Sequence, residues 1–299
     1  MKQADQKTPE WFEQRKMRIT GSRVGAILGL SPWQKPHDVI RAMVREHHNY
    51  PSEFLGNPAT DHGNNNEQRA LLCFMRETGL QVEECGFFPY GQRLGASPDG
   101  LTSDGGVLEI KAPYSLRNGG EFKSISEQPH YLAQVQMELL STGRTHAWFA
   151  QFIPQKGDPL AFDYVEEKMR IERVEFDPNW IDENLEKISR FYELLLSELD
   201  NEEHLNPLRV AVDTPEAGSL ISELDEIRLR KKSDESREKE IVSILAEMTG
   251  GKNALIHGRN LTRVERKGSI RYAAVVKDHL PDLDLSGYTS SGSEYWKLS

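Results

Sequence analysis

Two acids and a lysine crowd one tight turn in LGASPDGLTSDGGVLEIKAP, residues 94–113: Asp99 precedes the run TSDGG, and Glu109 and Lys111 follow it. Asp-Gly between resuming apolar residues marks a hairpin. A turn centred on Asp104 sets Asp99 opposite Glu109 and Ser97 opposite Lys111. Side chains alternate along a strand, so all four would project from one face. Directly opposed carboxylates sit roughly 4.5–5.5 Å apart at Cβ and repel. A hard divalent cation between them reverses the sign, since Mg²⁺ takes one or two carboxylates and fills its remaining positions with water and phosphate oxygens. Lys111 beside such a cation would position or deprotonate a water, or stabilise charge developing on a phosphate. The same spacing also describes a solvent-facing hairpin whose acids solubilise it and whose lysine is their ion-pair partner. The hairpin alone leaves both arrangements open.

The elements around the hairpin bear on that choice. DHGNNNEQRALLCFMRETG is expected to form a helix over about residues 64–78, with Glu67 on the stripe of Ala70, Leu71, Phe74 and Met75. A carboxylate on a core-facing stripe is costly unless paired, protonated or bound to metal, so Glu67 is a candidate third acid. An acid favoured by the dipole of a first helical turn is the competing explanation. PHYLAQVQMELL is expected to be a second helix, presenting Tyr131 and Gln134 one turn apart, though any amphipathic helix has that form.

Residues 9 to about 200 alternate helical patterns with short strand-like runs, and the texture changes after that. Two regions are expected, 1–205 and 206–299. The second opens on a proline-bearing link and a charged helix over about 216–249, stopped by Gly250 and Gly251. Its apolar stripe of Leu220, Leu224, Ile227, Ile241 and Leu245 does not sustain heptads, which favours a solvated helix or helical hairpin over a coiled coil. A hairpin turning at Lys267-Gly268 is expected beyond it, with Arg259, Arg263, Arg266, Lys267 and Arg271 as possible DNA contacts or as an ordinary charged face.

Composition excludes several classes. With 37% hydrophobic and 28% charged residues in 299, the chain has no apolar run near the length of a membrane span. MKQADQKTPEW lacks the apolar core of a secretory signal, so a cytoplasmic protein is expected. The two cysteines, Cys73 and Cys85, form no C-x-x-C pair and read as buried thiols. His47-His48 lacks the spacing of an H-E-x-x-H zinc site, and TGGKN around Lys252 lacks the glycine and hydroxyl positions of a P-loop. A net charge of −10 argues against a general basic coat, so a DNA enzyme of this composition would need a local basic groove and divalent cations beside its acids.

Four ordered blocks, RITGSRVGAILGLSPW, HGNNNEQRA, ASPDGLTSDGGVLEIKAPYSLR and HYLAQVQMELL, resemble the lambda-type phage exonuclease and YqaJ viral recombinase family over about residues 9–155. The signature of that family reads here as Pro98-Asp99 and Glu109-Ile110-Lys111. The resemblance implies an α/β fold with a restriction-endonuclease-like PD-(D/E)XK core, a mixed central sheet flanked by helices, and here a C-terminal helical and hairpin extension. It implies Glu67, Asp99, Glu109 and the Ile110 backbone carbonyl as ligands to two Mg²⁺ ions, with Mn²⁺ able to substitute. Lys111 would stand next to the attacking water and Gln134 near the scissile phosphate. Arg15, Ser22, Ser97 and Arg117 would approach the 5′-phosphate, with Tyr131 also contacting the DNA.

The resemblance further implies a Mg²⁺-dependent 5′ to 3′ exonuclease acting on ends of linear double-stranded DNA and leaving 3′ overhangs for phage recombination. It implies a ring-shaped oligomer, a trimer by preference, a single-strand annealing protein as partner, and the cytoplasm of a bacterial host. The alternatives are an endonuclease or repair nuclease of the same fold, or an inert DNA-end-binding scaffold. The lack of a cysteine quartet disfavours the iron–sulfur branch of the repair nucleases. Trp33 in GLSPW is read as a packing residue rather than a base-stacking wedge.

Overall fold

A computed structural model describes residues 5–159, 164–209, 212–264 and 280. The chain divides into two compact units, Met1–Val210 and Ala211–Ser299. In chain order the first unit contains α1 (Pro9–Arg15), β1 (Ile19–Thr20), α2 (Gly21–Ile27), α3 (Pro36–His47), α4 (Pro58–Thr78), β2 (Val82–Glu83), β3 (Phe88–Tyr90), β4 (Leu94–Ala96), β5 (Gly100–Thr102), β6 (Val107–Lys111), α5 (Pro129–Thr142), β7 (His146–Ile153), β8 (Lys168–Glu175) and α6 (Pro178–Glu198).

The main sheet runs β2-β5-β6-β7-β8, antiparallel except for the parallel pair β6/β7. Alternation along β6 divides its residues between two helices. Leu108 and Ile110 join Ala70, Cys73 and Phe74 of α4 on one face. Val107 joins Val135 and Leu139 of α5 on the other. Glu109, in phase with Val107, is thereby aimed at α5 rather than at solvent. A smaller sheet, β1-β4-β3, lies with α2, α3, α5 and α6 around a second core that includes Ile19, Val24, Met43, Leu94, Met137 and Phe191.

The helix α4 begins and ends where the chain supplies the chemistry for it. Asn57 Oδ1 accepts from the amides of Ala59 and Thr60, Pro58 occupies the first turn, and Gly79 closes α4 in the left-handed region at φ 73°. The helix therefore starts six residues before the expected one, and Glu67 lies in its third turn. A first-turn dipole no longer accounts for that acid. Arg41 and Arg45 of α3 are buried and clamp the chain beyond α6. Arg41 holds Glu53 through Nε at 2.7 Å and the Glu203 carbonyl at 3.1 Å, and Arg45 holds the Leu205 carbonyl at 2.8 Å.

The hairpin turn is stapled by its own aspartate. Asp104 Oδ1 accepts from Thr102 Oγ1 at 2.6 Å and from the Gly106 amide, while Oδ2 accepts from Trp148 Nε1 at 3.0 Å and faces His146 Nε2 at 3.2 Å. Burial pushes this carboxyl up, but the bonds from Thr102, Trp148, His146 and Gly106 outweigh it and bring the pKa to about 2. The folded value lies below the unfolded one, so this stabilisation is present above the ordinary aspartate pKa and is lost as pH falls toward about 2. Asp104→Ala is expected to cost about 1–3 kcal/mol at neutral pH, because it strands the Trp148 and His146 donors. The deficit should shrink between about pH 4 and pH 2 in an acid-unfolding series, and a constant deficit would show that the turn does not depend on the charge.

The second unit contains one continuous 34-residue helix, α7 (Pro215–Met248), capped by Thr214, and a hairpin of β9 (Ala254–Ile256) and β10 (Arg259–Leu261). No break makes α7 a helical hairpin, and its side chains are largely exposed. The β9/β10 turn uses His257 and Gly258, both at positive φ, as a two-residue hairpin loop requires. The hairpin expected at Lys267-Gly268, with Arg266, Lys267 and Arg271, lies outside the described residues.

Candidate active site

The β5/β6 register is the one a turn centred on Asp104 sets, with Gly100 opposite Leu108 and Leu101 opposite Val107. The ladder ends at Gly100. Pro98 has no amide to donate, and the chain before it departs to β4 in the smaller sheet. Asp99 fills the gap with its side chain: its amide donates to the Leu108 carbonyl at 2.9 Å, and its Oδ2 accepts from the Ile110 amide at 2.6 Å. The ladder therefore stops short of both expected pairings, Asp99 with Glu109 and Ser97 with Lys111, and Asp99 meets β6 through the Leu108 carbonyl and the Ile110 amide. The Ser97 hydroxyl instead accepts from Trp11 Nε1 at 2.9 Å and Arg15 at 3.4 Å.

Glu109 is 2% exposed, and its Oε1 is bound by the Lys111 ammonium and by Gln134 Nε2, the latter at 2.6 Å. Gln134 donates from the same nitrogen to Glu138 Oε1 at 2.9 Å. Lys111 Nζ lies 5.1 Å from the centroid of the Tyr131 ring. Glu67, Asp99, Ile110, Lys111 and Tyr131 line one cleft of about 290 Å³, with Glu109 buried behind it. The Glu67 carboxylate is 43% exposed at the cleft wall and pairs with Lys7 Nζ at 3.5 Å.

Burial, then the neighbouring charge of Glu109, raises the Asp99 carboxyl well above the ordinary aspartate range. Burial alone would lower Lys111, but Glu109 and Asp99 beside it reverse that and hold the ammonium above the ordinary lysine range. Glu138 is also raised, by burial and then by Glu109. This acid was not singled out in the sequence, although its place four residues after Gln134 puts both on one helix face.

The 5′-phosphate candidates divide. Arg15 and Ser97 meet, and the Arg15 guanidinium lies 4.0 Å above the Trp11 ring. Burial, then the like charge of Arg23, lowers Arg15 to about 10, so Arg23 is a cation of this corner that sequence reasoning did not name. The Ser22 hydroxyl pairs with Thr20 at 3.2 Å rather than with either of them. Arg117 stacks 3.8 Å over Tyr114 and donates to the Tyr114 carbonyl at 2.8 Å, close to His62 of α4. Trp33 is not a packing residue: it is 72% exposed, because the Ser31–Lys35 loop turns it outward from the core between α2 and α3.

Among the described residues, no three acidic, histidine or cysteine side chains converge as a closed metal set. The donors nevertheless suit a hard cation. Asp99 and Glu109 are carboxylates from neighbouring strands, Ile110 lies between Glu109 and Lys111 at the cleft wall, and Glu109 Oε2 is buried without a hydrogen-bond partner.

A mixed sheet between helices, with an acid at the mouth of one strand and Glu-x-Lys on the next, defines a nuclease core of the PD-(D/E)XK kind. Residues 10–145 match the model of the YqaJ-like viral recombinase domain. This match supports the assignment of residues 10–145 to the lambda-type exonuclease and YqaJ family, as does the likeness to solved exonucleases. The chain is similar to the alkaline exonuclease LHK-Exo of Laribacter hongkongensis, at 27% identity and a TM-score of 0.52, over 66% of this chain and 96% of that one. The structure of LHK-Exo in complex with dAMP matches at 28% identity and a TM-score of 0.52, over 64% and 95% of the two chains. An uncharacterized protein of Acanthamoeba polyphaga mimivirus is 27% identical over 164 residues, which is 50% of this chain and 29% of that protein. Nucleases of this fold generally use divalent metal ions. No helix among the described residues is long and apolar enough to cross a membrane.

Proposed function

We propose that the protein is a Mg²⁺-dependent exonuclease that removes one strand of linear double-stranded DNA from its 5′ end. The product is a 3′ single-stranded overhang for phage-type recombination by strand annealing. The observation that carries this is a cleft lined by Glu67, Asp99 and Lys111, with Glu109 buried behind it and bound by Lys111 and Gln134, in a chain whose neighbours are exonucleases.

Asp99, Glu109, the Ile110 carbonyl and Glu67 would hold the divalent ions, two per site, with Mn²⁺ able to replace Mg²⁺. When bound, these supply Lewis acidity for the attacking water and the leaving oxygen. Lys111, in contact with Glu109, would stand next to the attacking water and donate to charge developing on the phosphate. Gln134, anchored on both Glu109 and Glu138, fixes the Glu109 carboxylate in one rotamer. Arg15 and Ser97 would take the terminal phosphate, with Ser22 and Arg117 flanking it and Tyr131 lining the path of the strand. A ring-shaped homotrimer and docking of a single-strand annealing protein belong to the same proposal and rest on the family alone.

Linear duplex with 5′-phosphates should lose its 5′-ended strands in Mg²⁺, while covalently closed circles persist. Cleavage of the circles would favour an endonuclease, and binding without strand loss an inert scaffold. Arg15→Ala is expected to lower kcat/KM on 5′-phosphorylated ends about 10–100-fold and to leave 5′-hydroxyl ends nearly unchanged. An equal loss on both ends would remove Arg15 from phosphate recognition.

A further inference from the structure

Trp33 combines exposure with rigidity. A tryptophan at 72% exposure leaves most of a large apolar ring in water, without the gain that burial would give it. The segment that presents it is not loose. The amides of Leu30 and Ser31 both cap the Gly25 carbonyl, at 2.8 and 3.1 Å, and Ser31 Oγ accepts from the amides of Trp33 and Gln34, each at 3.3 Å. Pro32 stiffens the approach, and Pro36 opens α3 immediately afterwards.

The ring is also aligned with the cleft. Its centroid lies 4.9 Å from that of His130, nearly perpendicular at 89°, and 6.1 Å from that of Tyr131. Tyr131 in turn lines the cleft beneath Lys111 Nζ. An aromatic row thus leads outward from the catalytic lysine, through Tyr131, to an open indole face. The surroundings carry cations in a chain of net charge −10, and the acid beside them, Asp38, is turned onto the Lys35 amide at 2.8 Å. Lys35 is exposed in the same loop, and burial, then the charges of Lys111 and Lys123, hold His130 below its ordinary value. Apolar π-surface beside positive charge, continuous with a phosphodiester-cleaving site, matches single-stranded nucleic acid.

We infer that Trp33 is a base-stacking platform: an unpaired nucleobase of the DNA end lies on its exposed face while the adjoining backbone runs past Tyr131 to Lys111. This rests on the nuclease assignment of the cleft. His130 stands perpendicular to the indole, which remains 72% exposed and open to a base.

Stacking on an aromatic side chain is sequence-tolerant and contributes mostly to binding, so Trp33→Ala should raise KM for 5′-phosphorylated duplex by about 5- to 150-fold. Its kcat should change much less, and Trp33→Phe should recover most of the loss. Melting temperature should not move, because so little of the indole is buried. Direct contact is read with 2-aminopurine placed singly at the first three positions of the 5′-ended strand, titrated in Mg²⁺ with Asp99→Asn protein to suppress cleavage. One position should be quenched by Asp99→Asn protein and remain bright with the Asp99→Asn, Trp33→Ala double variant. If wild type degrades duplex and Trp33→Ala does so with an unchanged KM, or if quenching is the same in both proteins, the platform is wrong and the nuclease assignment stands. If quenching depends on Trp33 but wild type cuts no DNA, the platform stands and the nuclease assignment fails.

Discussion

Asp99→Asn is expected to slow strand loss from linear duplex by about 10²–10³-fold or more, and at the same time to raise the melting temperature of the metal-free protein. The two effects share one cause. Asp99 is buried beside Glu109, and that setting disfavours its charged form. Its folded pKa is raised, so the stability linked to it is fully present below the unfolded aspartate pKa and is lost as pH rises through the folded value. Metal-free wild type should therefore melt at a higher temperature at pH 5 than at pH 8. Asparagine keeps an oxygen for the Ile110 amide while removing the charge, so the variant should show a weaker pH dependence, the remainder belonging to Glu138. Added Mg²⁺ should restore wild type by mass action and do little for the variant. A variant that melts no higher than wild type at pH 8, or that gains as much from Mg²⁺, would mean that the Asp99–Glu109 pair is not the metal site. Removal of a charged active-site group commonly trades activity for stability in this way.

Gly25→Val is expected to damage both stability and rate. A Cβ at position 25 would lie 2.9 Å from both Cβ and the carbonyl oxygen of His130, and 3.0 Å from its Cα. These are main-chain and Cβ positions that cannot swing aside, so α2 and α5 would have to separate. Gly21, one turn earlier, would place its Cβ 3.4 Å from the Gln134 carbonyl, an ordinary contact. Overpacking of this kind costs about 1–3 kcal/mol. The kinetic cost is larger, because α2 carries Ser22 and Arg23 while α5 carries Gln134. Moving one helix against the other by about 1 Å would cost about 10²-fold in rate. Thermal melts and single-turnover digestion measure the two effects. Gly218→Ala, in a helix with nothing within 4 Å of the added methyl, serves as the comparison and should leave both unchanged or raise stability slightly. A Gly25→Val protein with wild-type turnover would show that the seam does not set the site.

The part of the site that depended on local chemistry was legible. Asp-Gly fixed the turn, the turn fixed the register, and alternation then put Glu109 and Lys111 on one face of β6. What escaped was set by longer-range partners. The ladder ends at Gly100, just short of Asp99, because the chain through Pro98 must cross to another sheet, and spacing alone extended the pairing to Asp99 and Ser97. Glu138 was hidden because an acid within an apolar helix reads as its polar edge until a second buried carboxylate is seen opposite it. The early start of α4 was present in Asn57-Pro58, a cap followed by a first-turn proline, and was passed over because the residues after it carry no apolar stripe. Trp33 in its GLSPW loop reads as a packing residue from sequence, and only the placement of the loop shows that the indole faces outward.

The bond from the Ile110 amide to Asp99 Oδ2 means that this carboxylate also closes the sheet at the point where Pro98 leaves a main-chain donor without its usual partner. The position thus distinguishes two routes by which a lineage can lose activity. Alanine there would strand the donor and weaken the fold, so such copies would tend to be cleared with the misfolded chains. Asparagine would silence cleavage in a protein that still folds and still has its phosphate corner and exposed indole. Inactive descendants of this gene should therefore carry asparagine at position 99 far more often than alanine, as retained proteins that bind DNA ends without cutting them.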